Sequence, residues 1–141
     1  MAPGSAPGLA CVRARDYAGN GAAGDRGDNK AIVRAIVEEL WNAGRADRVG
    51  DLIAASYTIH RDPLDPWDGK TLDHAEFKAR LGQTRAAFPD QRFAIEDMLA
   101  GGDRAALRRT CEGTHQGDLP GFPLGPGFKV CGMTIYAIAE G

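Results

Sequence analysis

The first half of the chain repeats its apolar residues with the spacing of helices. Asp28 and Asn29 can each cap a helix, and Gly44 is placed to end it. Between them, apolar residues recur every three to four positions at Ile32, Val33, Ile36, Val37, Leu40 and Trp41. A short second helix is predicted around Val49, Leu52 and Ile53. Asp73 and Glu76 form a predicted capping box for a third helix. The inner face of that helix would hold Phe77, Leu81, Thr84 and Phe88.

The second half of the chain has the period of strands. A short strand is expected at residues 56–60, before a loop at 61–69 that contains two prolines. From Arg92 onward, Phe93, Ile95, Asp97 and Leu99 alternate with Arg92, Ala94, Glu96 and Met98. On the next predicted strand, residues 104–115, one face carries Leu107, Arg109, Cys111 and His115. A last strand is predicted at 128–139. Helices followed by antiparallel strands favour the α+β class.

Residues 1–28 differ in composition from the rest. They are rich in Gly, Ala, Pro, Asp and Arg and contain few large apolar residues, so we expect a mostly flexible extension. The exception is residues 9–15, which could pair as an edge strand. The folded domain is predicted to span residues 29–141.

Composition and charge exclude several classes of function. The chain has 141 residues, which is the size of one domain with a real core. Seventeen Lys and Arg against nineteen Asp and Glu give a net charge of −2, which offers no electrostatic basis for binding nucleic acid or an anionic membrane. No apolar run approaches the ~20 residues needed to span a bilayer. Three cysteines without CxxC spacing favour free thiols in a cytoplasmic protein.

Six short segments, taken in order, resemble a known family. They are Trp41-Asn42-Ala43-Gly44, Tyr57-Thr58-Ile59-His60, Ala87-Phe88-Pro89-Asp90, Gly102-Asp103-Arg104, Gly113-Thr114-His115-Gln116-Gly117 and the strand end Ala139-Glu140-Gly141. The set resembles the SnoaL-like polyketide cyclases of the nuclear-transport-factor-two-like superfamily, over residues 29 to 141. The resemblance implies a cone-shaped, curved antiparallel sheet wrapped around three N-terminal helices, with an apolar pocket and usually a homodimer.

The resemblance also implies an activity. Family members of known activity close a polyketide ring by an intramolecular aldol condensation, without a metal or an organic cofactor. In the family, the strand after the Asp/Glu-Gly turn carries a Trp and the general acid/base aspartate. This chain ends on that turn, at Gly141. The expectation is that the closing strand and its aspartate are absent, through truncation, through loss of catalysis, or because another segment fills the gap.

Three residues are candidates for catalysis. His60 and His115 have side chains suited to proton transfer near neutral pH, and each could instead make a structural hydrogen bond at a strand end. Arg109 could stabilise an enolate oxygen if its strand face is inward. The outward orientation, a solvated strand arginine, is the expectation.

Other residues are candidates for binding. The predicted aromatic and apolar wall for a planar ligand contains Trp41, Tyr57, Trp67, Phe77, Phe88, Phe122, Met133 and Tyr136. Asp62, Asp65 and Asp68 lie three apart, which does not match a calcium loop, so no metal site is predicted. One of these carboxylates could replace the missing acid/base.

The sequence therefore predicts a cofactor-free polyketide cyclase-type enzyme that acts on a small apolar or polycyclic carbonyl compound. The alternatives are a non-catalytic binding or dimerisation module and a cofactor-free hydroxylase. Without a closing strand, the edge beside residues 128–139 would be unpaired. We expect a dimer partner to cover it or, as the less favoured alternative, residues 9–15.

Overall fold

A computed structural model describes residues 9–11, 13–14, 26–62, 65–116 and 125–138. In this part of the chain, helices come first and a long antiparallel sheet follows, so the predicted α+β class is confirmed. No helix in the described ranges is long and apolar enough to cross a membrane.

The predicted helices are all present. Helix α1 spans Arg26–Ala35 and continues as a π-helical segment, Ile36–Asn42. A 3-10 turn at Ala46–Arg48 leads into α2, Val49–Leu52. Helix α3 spans His74–Ala87 and begins at the predicted capping box, in which Asp73 accepts a hydrogen bond from the Glu76 backbone and Glu76 accepts one from the Asp73 backbone.

The start of α1 differs from the prediction. The helix begins at Arg26, so Asn29 lies inside it and does not cap it. The Asn29 side chain is buried and donates from Nδ2 to the Gly102 carbonyl oxygen at 2.8 Å. This bond joins α1 to the turn between the first two long strands, a long-range role that no local capping pattern indicates.

The strands form two sheets. Strands β1 (Leu9–Cys11), β3 (Tyr57–Arg61) and β4 (Thr71–Leu72) form one sheet in the order β1-β3-β4. Strands β2 (Arg13–Ala14), β5 (Arg92–Gly101), β6 (Arg104–His115) and β7 (Gly125–Ile138) form the other in the order β2-β7-β6-β5. The sheets do not close into a barrel within the described residues.

The N-terminal strands settle one of the predicted alternatives for the sheet edge. Strand β2 pairs in parallel with β7, through Arg13 with Ala137 and Ala14 with Ile138. Strand β1 pairs with β3 of the other sheet. The edge of β7 is therefore paired at Ala137 and Ile138 by the N-terminal segment. This is the less favoured of the two predictions, that residues 9–15 cover the edge.

A bulge shifts the alternation within β5. Ile95 pairs with Arg109 and Asp97 pairs with Arg108, so Glu96 is the extra residue. After it, Met98 rather than Leu99 packs against the core, and Leu99 is 67% exposed. The prediction that Leu99 shares a face with Phe93 and Ile95 is wrong because one inserted residue reverses the alternation.

The core lies between the helices and the concave side of the longer sheet. Helix α1 packs on β5 and β6. The largest fully buried side chains come from both layers and include Ile36, Leu40, Leu52, Ile53, Ile59, Phe77, Leu81 and Leu107. One face of the longer sheet therefore packs against the helices, and the core fixes the positions of the side chains on that face.

Candidate functional site

The inner face of β6 carries the predicted set of side chains. Leu107, Cys111 and His115 are buried, and Arg109 is half-buried between them. The residues of opposite parity, such as Arg108 and Glu112, are exposed. The prediction that Leu107, Arg109, Cys111 and His115 share a face is confirmed, and that face is the concave one.

Arg109 therefore points inward, and the expected outward orientation is wrong. Its Nε donates to the Thr134 hydroxyl at 3.3 Å, and its guanidinium carbon lies 5.0 Å from the centre of the Phe93 ring. Gly132 lies directly opposite on β7, where an added Cβ would be 3.8 Å from the guanidinium, an ordinary van der Waals contact. The hydrogen bond and the cation–π contact together hold this charge on the inner face.

Aromatic side chains from four elements meet beside Arg109. Trp41 lies 6.0 Å from Phe77 and 6.1 Å from Phe93, and Tyr57 lies 4.9 Å from Phe77, measured between ring centres. Phe77 is fully buried, whereas Trp41 keeps partial exposure. Edge-on ring contacts of this kind hold the cluster in one arrangement.

A second guanidinium, that of Arg80 on α3, lies inside this cluster. The residue is 8% exposed, and its guanidinium carbon lies 4.9 Å from the Trp41 ring and 5.6 Å from the Trp67 ring. Its Nη2 donates to Asp65 Oδ2 at 2.5 Å. Its Nε and Nη1 atoms are also buried and have no hydrogen-bond partner. The ion pair thus uses one of the three nitrogen atoms.

The loop after β3 positions the Asp65 carboxylate that pairs with Arg80. Asp65 Oδ1 accepts from the Trp67 backbone N–H at 2.8 Å, while its Oδ2 binds Arg80. Asp68 Oδ1 accepts from the Asp62 backbone N–H at 2.6 Å. Because both Asp65 oxygens accept hydrogen bonds, this carboxylate is held in place beside Arg80.

Two buried tyrosines complete the cluster. Burial raises the pKa of Tyr57, and Arg80 opposes that rise. Burial also raises the pKa of Tyr136, while Arg109 and Arg80 act in the opposite direction. Both phenols therefore stay protonated at neutral pH and can donate a hydrogen bond.

His115 lies at the other end of the inner face. Its ring centre is 4.9 Å from that of Phe88, and Phe88 is 5.3 Å from Phe128. Trp67 packs against Phe88 as well as against Arg80, so it links the two groups. His115 follows Arg109 by six residues, which at about 3.3 Å per residue separates their backbones by about 20 Å.

Two other predicted site residues lie elsewhere. His60 is exposed, whereas its strand neighbours Tyr57 and Ile59 are buried, so the structure does not bring it to the cluster. Met133 is 45% exposed and pairs with exposed Arg108, which places it on the outer face. Its predicted place in the aromatic wall is wrong because β7 presents Thr134 and Tyr136 inward instead. Phe122 lies outside the described residues.

The two cysteines of neighbouring strands do not form a pair. Cys111 is buried and Cys131 is exposed, on opposite faces of the sheet. Burial raises the pKa of the Cys111 thiol to about 11. This thiol is uncharged at neutral pH and is therefore a poor nucleophile.

The main residue missed by sequence reasoning is Arg80. It lies three residues after Phe77 and one before Leu81, in the apolar stripe of α3. A charged residue within such a stripe is the signal that could have identified it, because an arginine is rarely buried without a partner. Its partner Asp65 lies 15 residues earlier in the sequence, on a loop, so no local pattern predicts the pairing.

The family described as SnoaL-like polyketide cyclase matches residues 31–141. A candidate polyketide cyclase from Acidithiobacillus ferrooxidans is 39% identical, with 79% of each chain covered and a TM-score of 0.69. TsrD from Streptomyces laurentii is 19% identical, with 82% of this chain and 81% of that one covered and a TM-score of 0.64. AclR, a candidate hydroxylase from Streptomyces galilaeus, is 19% identical, with 79% and 88% covered and a TM-score of 0.54.

No functionally curated protein matches the chain. The family match covers well over half of the sequence, and the similar structures share its α+β fold. This chain therefore belongs to the SnoaL-like polyketide cyclase family.

Proposed function

We propose that the protein binds a polycyclic or otherwise apolar carbonyl compound on its inner face and catalyses a cofactor-free aldol ring closure. The observation that carries the proposal is the aromatic cluster with inward Arg109 and the buried Tyr136 phenol beside it. Removal of a proton next to a carbonyl leaves an enolate, whose oxygen needs positioned donors away from water. The enolate carbon then bonds to a second carbonyl carbon, and that oxygen takes up a proton.

Arg109 and Tyr136 suit the oxygen of the enolate. Arg109 is retained on the inner face by Thr134 and Phe93, so its charge is preorganised. Tyr136 carries its proton at neutral pH because burial raises its pKa. Negative charge appears on this oxygen only as the enolate forms. A cation and a neutral donor placed beside it therefore stabilise the transition state more than the bound substrate.

His115 is proposed as the residue that accepts and returns the proton when the reacting carbon lies at the His115 end of the inner face, and water takes the proton when it lies at the Arg109 end. The separation of His115 from Arg109 by about 20 Å along the strand means that the two cannot act on the same carbonyl group. Variants of the two residues therefore distinguish two positions for the reacting carbon, the Arg109 end and the His115 end of the inner face.

Proton abstraction can be tested with 1-tetralone, a bicyclic ketone, by following deuterium incorporation next to its carbonyl in D2O by NMR. We expect the protein to accelerate the exchange and Arg109→Gln to slow it at least about tenfold, as is typical for loss of one oxyanion donor. His60→Ala is the matched control and should leave the rate unchanged, since His60 is exposed. If only His115→Ala lost the accelerated exchange, the reacting carbon would lie at the Phe88–His115 end. If the unaltered protein exchanged the substrate no faster than buffer does, the proposal would be contradicted.

We also propose a homodimer formed through the outer face of the longer sheet. Leu99, Ala106 and Ile135 are directly opposite one another on β5, β6 and β7. Exposed Leu99 and Met133 add apolar area on that face. A second copy of the chain would bury this row and leave the inner face free for a ligand.

A further inference from the structure

Arg80 presents hydrogen-bond donors that the protein itself does not use. A guanidinium carries five N–H groups, and three of them are on Nε and Nη1. Both atoms are buried without a hydrogen-bond partner, while Nη2 alone donates to Asp65. Buried donors without acceptors cost free energy, so such groups in a folded protein call for an explanation such as a missing ligand.

Apart from the Asp65 carboxylate on Nη2, the polar groups around Arg80 include two phenols that keep their protons. The Tyr57 hydroxyl interacts with the guanidinium both electrostatically and through a side-chain hydrogen bond, and it keeps its proton because burial raises its pKa. At the Tyr136 hydroxyl, the charged side chains that act are the two arginines, Arg80 and Arg109. An oxygen atom near the Tyr136 hydroxyl is therefore attracted by both arginines, and the attraction of Arg80 is reduced by its pairing with Asp65.

The rings that flank Arg80 indicate the rest of the ligand. Trp41 and Trp67 lie on the guanidinium and are both partly exposed. Partly exposed indoles offer a flat apolar surface to a ring, and a guanidinium between them directs hydrogen bonds to the ring's oxygen substituents.

We infer that Arg80 is the recognition point for the carboxylate or enolate oxygen of a planar aromatic ligand, whose ring packs on Trp41 and Trp67. The ligand oxygen accepts hydrogen bonds from Nη1 or Nε, and Asp65 holds the guanidinium in place from its other side. This inference rests on the proposed ligand-binding role of the inner face and does not depend on catalysis.

The test compares 2-naphthoate with its uncharged amide, 2-naphthamide, by isothermal titration calorimetry. We expect 2-naphthoate to bind at least about tenfold more tightly, as for a hydrogen bond to a charged group. The preference should disappear in Arg80→Gln and be partly kept in Arg80→Lys. Arg34→Gln removes an exposed arginine on α1 and is the matched control, which should keep the full preference.

A second readout keeps the test independent of the stability of the variants. The chain contains two tryptophans, and both contact Arg80, so quenching of tryptophan emission by 2-naphthoate reports binding at this position in the unaltered protein. Equal affinity for the two naphthalenes, or binding without a change in emission, would overturn the inference even if Arg80→Gln does not fold.

A third ligand separates the two oxygen chemistries. Tighter binding of 2-acetyl-1-naphthol than of 2-naphthoate would assign Arg80 to an enolic ketone, and the reverse would assign it to a carboxylate. Binding of this kind without any proton exchange in 1-tetralone would support the recognition role of Arg80 while contradicting the proposed catalysis.

Discussion

At the scale of single residues, the junction between α1 and α3 depends on one glycine and one arginine. Gly44 has a φ of 69° and its N–H donates to the Leu40 carbonyl oxygen at 3.0 Å. Beside it, Arg85 of α3 donates from Nη1 to the carbonyl oxygens of Trp41 and Asn42 at 2.7 and 2.8 Å. The arginine thus satisfies carbonyl groups at the end of the first helix that have no partner within it.

Gly44→Ala should destabilise the protein. A methyl group there would lie 2.5 Å from Arg85 Nε, and the positive φ adds a backbone cost of about 1–2 kcal/mol. We expect the free energy of unfolding, measured in urea, to fall by at least about 1 kcal/mol.

Gly82→Ala is the matched control for Gly44→Ala. Gly82 lies in the exposed interior of α3 and has nothing within 4 Å of an added Cβ. Alanine is favoured over glycine in a helix, so this variant should be more stable by up to about 1 kcal/mol. An unchanged stability for Gly44→Ala would show that the junction can adjust without cost.

At the scale of elements, most of the secondary structure was predictable because it depends on local patterns. The capping box of α3, the alternation along β6 and the glycine that ends the first helix each have a local physical cause. The errors arise where a contact distant in sequence decides the outcome. Asn29 lies inside α1 and donates to Gly102, which is distant in sequence, and the bulge at Glu96 is visible only in the register with β6.

The N-terminal strand β2 covers part of the edge of the longer sheet. Strand β2 pairs with Ala137 and Ile138 at the end of β7, where an unpaired edge would invite association with other chains. We expect the backbone amides of Ala137 and Ile138 to exchange slowly with deuterium in the full chain and faster in a variant that lacks residues 1–14.

A variant that lacks only residues 1–8 separates the pairing from the effect of shortening the chain. It keeps both strands and should retain slow exchange at Ala137 and Ile138. Equal exchange in all three proteins would mean that β2 does not protect the edge in solution.

At the scale of the whole molecule, the sequence carried the α+β class and the inward set on β6, but only part of the candidate site. Of the predicted aromatic wall, Trp41, Tyr57, Phe77 and Tyr136 do meet, because each lies in the apolar stripe of its element. Met133 of that wall and the catalytic candidate His60 lie elsewhere, since a one-residue difference in strand parity moves a side chain to the other face. Arg80 was missed because its partners come from the loop after β3 and from the π-helical segment after α1.

The outer face of the longer sheet carries two neighbouring rows of side chains that could form an interface between two copies of the chain. The row of Leu99, Ala106 and Ile135 lies beside a second row in which Asp97, Arg108 and Met133 face one another across the strands. In a two-fold symmetric pair, such a face can match its own copy, with Asp97 placed against the partner's Arg108. We expect the chain of 15.0 kDa to sediment with about twice that mass.

Leu99→Asp should convert the dimer to a monomer without unfolding it, because Leu99 is 67% exposed in the single chain. Val130→Asp is the matched control. Val130 is also exposed, at 43%, but it pairs with Cys111 and therefore belongs to the opposite face. It should leave the sedimenting mass unchanged, since the outer face would be intact. Dissociation by Val130→Asp but not by Leu99→Asp would place the interface on the inner face, where a second chain would compete with the ligand for the aromatic cluster.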